Sequence, residues 1–156
     1  MMKYLQKLGK AIMLPVAVLP VAAIMMGIGY AMCPSTMQGG DVTGIIQVIG
    51  FALVKIGSAV IDKLPMLFAV GVAIGLSKDQ HGAAGLAGLV AFLTVTTVLN
   101  SGVVATMMGV EEAPLAFSKI DNAFIGIISG ITASVCYNKF SSAKLPTALA
   151  FFSGKR

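Results

Sequence analysis

The sequence is poor in residues that do chemistry. It has one histidine, two cysteines and six acidic residues among 156, and only 11% of its residues are charged. A lone histidine, His81, excludes every paired-histidine metal motif. Cys33 and Cys136, far apart in the chain, make neither a disulfide framework nor a zinc site, and both read as small packing residues. Gly82, Gly85 and Gly88 lack the Gly-x-Gly-x-x-Gly spacing of a dinucleotide loop, and there is no phosphate loop, serine elbow or carboxylate pair. The sequence therefore offers no catalytic residue, no metal ligand and no cofactor site. Scarce charge also excludes a soluble domain, because a chain that is 57% hydrophobic has too little polar surface to cover itself. The net charge of +5 is not a nucleic-acid signal, since the basic residues are thinly spread and flank apolar segments, where they set topology.

What the chain does have is apolar runs near the roughly 20 residues that cross a bilayer. They predict an all-α polytopic membrane bundle, with the lipid bilayer as its first partner. Residues 1–10 form a basic amphipathic lead suited to the cytoplasmic surface, with Lys3, Lys7 and Lys10 on its polar side. A first span follows at about 11–32, longer than the apolar core of a signal peptide. Ala31-Met32-Cys33 superficially resembles a lipoprotein site, but Met32 is too large for its position. Pro15 and Pro20 predict a kink and a place inside the bundle. The 33–43 segment, with Pro34, two glycines and no basic residue, reads as an outer loop. Further spans are expected at about 63–77, 82–99 and 122–138, with Asp62 capping the second and Pro65 in its first turn. Residues 100–121 read as a mixed loop carrying Glu111, Glu112 and Pro114.

Residues 44–61 are long enough to cross, yet Gln47, Lys55, Ser58 and Asp62 fall within about 80° of one another on a helix. Lys139, Lys144, Lys155 and Arg156 mark the tail as cytoplasmic. A cytoplasmic start and end require an even number of crossings, so we expect four spans and an external interfacial helix at 44–61, with Lys78 inside. Gly71/Gly75 and Gly126/Gly130 are spaced for close helix packing; a homodimer contact is the alternative use. Gln47 is the one candidate substrate-binding residue, since a cavity-facing amide can bond a hydroxylated ligand. Lys55 reads as an interfacial snorkel. The Ser77–His81 turn reads as a solvated hairpin anchored by Lys78, with contact to a cytosolic partner as the functional alternative.

Four stretches resemble one family. Met13-Leu14-Pro15-Val16-Ala17-Val18-Leu19-Pro20-Val21-Ala22 is similar to the first span of sugar permeases of the phosphotransferase system, glucose/N-acetylglucosamine class. Leu64-Pro65-Met66-Leu67-Phe68-Ala69-Val70-Gly71-Val72-Ala73 resembles a second segment of that class. Gly126 to Gly130 followed by Tyr137-Asn138-Lys139-Phe140 resembles a third, and the amphipathic tail at 145–153, leading into Gly154-Lys155-Arg156, a fourth. The resemblance implies the amino-terminal, scaffold and dimerisation part of an EIIC component. That component accepts a hexose or N-acetylhexosamine from outside and presents it to an EIIB domain for phosphorylation. It also implies that the sugar-binding half and the phosphocysteine lie beyond these residues, so that this part is not expected to transport alone. The other reading is a small self-contained membrane protein forming a helical oligomer with a structural or pore role.

Overall fold

A computed structural model describes residues 2–141 and 143; the tail at 145–153 lies outside them. All regular structure in the described residues is helical. In chain order the helices are α1 (Met2–Val16), α2 (Leu19–Met32), α3 (Ser35–Gln38), α4 (Ile45–Asp62), α5 (Leu64–Leu76), α6 (Gly82–Val98) and α7 (Ser101–Met108), then a 3₁₀ turn (Leu115–Lys119) and α8 (Ala123–Phe140). Three helical stretches are long and apolar enough to cross a membrane: Met2–Met32, Ile45–Asp62 and Ala123–Phe140. The pair α6–α7, bent by 53°, makes a fourth if it counts as one span.

The chain forms two units, one of Met1–Met13 with Pro65–Arg156 and the other of Leu14–Leu64. In the second, α2 and α4 pair as an antiparallel hairpin through glycine. A Cβ on Gly29 would sit 2.6 Å from the Gly50 carbonyl oxygen, and one on Gly50 would sit 2.7 Å from Met32 Cβ. At the hairpin's other end Gly57 lies equally close to Ala22 and Met26. The expected kink is a break at Ala17–Val18. Pro20 has no amide for Val16, and its ring crowds that carbonyl, which is where α1 stops.

In the first unit α5 is central. None of its residues is exposed, and Ala69, Val72 and Ala73 are fully buried. At 13 residues it is shorter than a bilayer core needs, but neighbouring helices wrap it. α6 runs antiparallel to it, with Gly88 against Ala69 and Ala73 and Gly85 against Ile74. α8 runs parallel to it, with Gly126 against the Pro65 carbonyl and Gly130 against Ala69 and Val72. α1 reaches α5 where Ala11 meets Gly75. Hydroxyls in these helices turn back on their own backbone: Ser77 Oγ donates to the Ile74 carbonyl and Ser134 Oγ to that of Ile131, each at 2.7 Å. Self-satisfaction of this kind lets polar residues sit in apolar surroundings.

Three expectations need correction. The basic lead is not a separate element, because α1 runs unbroken from Met2 to Val16, through the predicted boundary at residue 10. The 100–121 segment is not a plain loop. Asn100 caps α7, its Oδ1 accepting the Gly102 amide at 3.0 Å, so a residue that reads as a turn starts a helix. Asp62 is the last residue of α4, with Lys63 alone between it and α5, rather than a cap for α5.

Candidate functional site

The densest polar constellation joins the Ser77–His81 turn to the end of α8. Asn138 reaches across 60 residues of sequence: its Oδ1 accepts the Lys78 amide at 2.8 Å and its Nδ2 donates to the Leu76 carbonyl at 3.2 Å. One carboxamide thereby satisfies a donor and an acceptor left over where α5 ends. Beside it the Tyr137 hydroxyl donates to Asp79 Oδ2 at 3.1 Å. His81 Nδ1 accepts the Ala83 amide at 3.2 Å and caps α6, a structural use for the only histidine. Gln80 takes a left-handed φ of 51°, uncommon for a residue with a side chain, and closes the turn. Lys78 and Lys139 remain exposed. The hairpin is solvated at Lys78, Asp79 and Gln80, as expected, and is braced by Asn138 and Tyr137. Tyr137 and Asn138 were legible only as part of a motif, because their partners lie across the fold.

The candidate Gln47 is at the start of α4. Its Oε1 accepts the Thr43 amide at 2.8 Å and lies 3.4 Å from the Thr43 hydroxyl, so the oxygen serves the helix terminus and only the amide hydrogens remain for a ligand. Lys55 is exposed, with Nζ 5.3 Å from the Phe51 ring centroid, a contact worth roughly 0.5–1 kcal/mol at the surface. The stripe holding Gln47, Lys55, Ser58 and Asp62 lies roughly a quarter turn from the buried seam of Gly50, Val54 and Gly57. Cys33, fully buried after α2, accepts the Thr36 hydroxyl at 3.0 Å and lies 3.3 Å from Ser35 Oγ. Hydrogen bonding from Ser35, then Thr36, holds the thiol's pKa below its ordinary value. Cys136 is exposed on α8.

Among the concavities of the first unit, a small one of about 180 Å³ lies between α1, Leu76 and Ile131, and two are larger. An apolar groove of about 490 Å³ lies between α6 and α8, and a cleft of about 270 Å³ lies where Ser101 and Gly102 face Glu111 and Glu112. Among the described residues no group of three or more His, Cys, Asp and Glu is placed to hold a metal ion. What the described residues assemble is a set of close-packed helices with one braced polar end.

The sequence matches known proteins. Residues 9–156 match the family described as Phosphotransferase system, EIIC. The N-acetylglucosamine-specific EIICB component of Bacillus subtilis (strain 168) is 40% identical over 158 residues, covering 100% of this chain and 28% of the relative. The glucose-specific EIICBA component of Staphylococcus saprophyticus is 37% identical over 162 residues, covering 97% of this chain and 24% of the relative. The chain thus spans less than a third of the length of these relatives. With the match running through both units and through the Tyr137–Asn138 brace, the chain belongs to the EIIC family of the phosphotransferase system.

Proposed function

We propose that the chain is the scaffold part of the membrane component of a phosphoenolpyruvate-dependent sugar phosphotransferase system. The remainder of an EIIC and an EIIB domain are its partners, and N-acetylglucosamine or glucose is the substrate. The two relatives are named for those sugars and carry B components in their names. The phosphoryl chemistry lies with the EIIB partner, and this part holds the helices against which the sugar-carrying part works.

The observation that carries the reading is the segregation of charge in the first unit. Asn138 ties Lys78 to the end of α8 beside Lys139, and Ala11 against Gly75 brings the lysine-bearing α1 to that same end of α5. At the other end of these helices lie Glu111, Glu112 and Asp121, with Lys119. The excess of lysine at one end is what the positive-inside rule uses to orient a bundle; the acids at the other end count for little. On this reading the amino terminus, the braced turn and the end of α8 face the cytoplasm, where EIIB docks. The four-crossing proposal puts α4 at the outer surface, with Lys55 snorkelling from its stripe; its length and its antiparallel seam with α2 favour a crossing as the second reading. A homodimer belongs to the proposal, but Gly85, Gly88, Gly126 and Gly130 are all spent on contacts with α5, so the pairing surface lies elsewhere.

Cysteine labelling tests this. In a background with Cys33 and Cys136 replaced, Lys55→Cys should react with a membrane-impermeant maleimide in intact cells. Lys78→Cys and Lys139→Cys should react only after the inner face is opened. Labelling of residue 55 from the cytoplasm alone would overturn the four-crossing arrangement.

A further inference from the structure

The groove between α6 and α8 has a shape and a charge pattern of its own. Ala83, Ala87 and Ala91 of α6 line it beside the larger Leu86 and Val90, Thr132 and Cys136 come from α8, and Tyr137 stands at one end. The Thr132 hydroxyl is turned onto the Ile128 carbonyl at 2.9 Å, so the walls present carbon and sulfur. From Ala83 to Ala91 an α-helix rises about 12 Å. The groove holds about 490 Å³ and is lined almost throughout by carbon, which suits hydrocarbon chains.

The mouth supplies the complementary charge. Tyr137, at the end of the groove, is bonded to Asp79. Lys78 is held by its amide to Asn138, the neighbour of Lys139, and both lysines are exposed. The Lys139 ammonium lies 5.6 Å from the ring centroid of Phe140, which is itself 61% exposed and extends the apolar surface beyond Cys136. Apolar walls that end at an aromatic belt residue, beside two exposed lysines and with the Asp79 carboxylate already bonded to Tyr137, match one ligand chemistry, fatty chains joined to an anionic head.

We propose that this groove is a binding site for an anionic phospholipid, its acyl chains along α6 and α8 and its phosphate between Lys78 and Lys139. The site rests on the membrane embedding in the proposed function, but not on sugar transport. The test is native mass spectrometry of the full chain from micelles doped with phosphatidylglycerol or phosphatidylcholine of identical chains. Phosphatidylglycerol should be retained on the order of tenfold better. Lys78→Gln with Lys139→Gln should bring it down to the phosphatidylcholine level, and Ala87→Phe, which fills the groove, should lower retention of both. Equal retention of the two lipids by the unaltered chain overturns the proposal, as does a preference that survives loss of both lysines. So does an Ala87→Phe variant that keeps its lipid but loses self-association or its hold on the rest of the permease, because the groove would then be a protein contact. Should Ala87→Phe fail to fold, the surface lysine pair decides alone. A chain with the lipid preference that supports no sugar phosphorylation when joined to the remaining part of a relative would sink the sugar reading and leave this site standing.

Discussion

Replacing Asn138 with alanine removes both hydrogen bonds that tie α8 to the Ser77–His81 turn. Each such bond contributes about 0.5–1.5 kcal/mol net. Asn138 is half-buried, so water replaces the lost partners only in part, and the expected cost is about 1–3 kcal/mol. The local effect is sharper than the global one. The Lys78 amide loses its acceptor, and its hydrogen exchange should speed up about tenfold for every 1.4 kcal/mol of protection lost. Asn138→Asp separates the two bonds. A carboxylate still accepts the Lys78 amide but cannot donate to the Leu76 carbonyl, and it sets two oxygens against each other. Exchange at Lys78 should therefore stay slow in the aspartate variant while overall stability falls. The assay is hydrogen exchange read by mass spectrometry on peptides covering 76–83, beside denaturant unfolding in detergent. Unchanged Lys78 exchange in Asn138→Ala, or equally fast exchange in both variants, would refute the brace.

Other substitutions probe the packing. Gly126→Ala places a methyl against the Pro65 carbonyl, and Gly130→Ala places one 2.8 Å from the Ala69 carbonyl oxygen. Backbone cannot swing aside like a flexible side chain, so each should cost about 1–3 kcal/mol, seen as a lower melting temperature in detergent. Gly27→Ala is the control: its Cβ meets nothing within 4 Å, so the variant should be more stable by roughly 0.5–1 kcal/mol. Asn100→Ala removes the α7 cap and should cost about 0.5–2 kcal/mol, with faster amide exchange at Gly102 and no change at Lys78.

The helices were legible because apolar runs of this length have few other uses in a chain so poor in charge. α5, α6 and α8 fall within two residues of their expected limits, and α4 is helical across 45–62. α7 was missed because Asn100-Ser101-Gly102 carries the same residues in a turn as in a cap, and only the chain that follows decides between them. The seam of α2 and α4 was missed too, since Gly29, Gly50 and Gly57 show no four-residue spacing within one helix and meet only across the hairpin. Gly126 and Gly130, spaced by four, announced their packing role but not that α5 was the partner. The brace was out of reach for the same reason: nothing near Asn138 in the sequence says that it faces Leu76 and Lys78.

The central claim is that these residues serve as part of an EIIC of the glucose/N-acetylglucosamine class, and a chimera tests it most directly. The matching stretch of the Bacillus subtilis N-acetylglucosamine EIICB component is replaced by this chain, and phosphoenolpyruvate-dependent phosphorylation of N-acetylglucosamine is measured in membrane vesicles supplied with the soluble carrier proteins. The chimera should phosphorylate the sugar, and vesicles holding residues 1–156 alone should not. A chimera that inserts and folds but phosphorylates neither N-acetylglucosamine nor glucose, or phosphorylation by residues 1–156 without the remaining part, would contradict it.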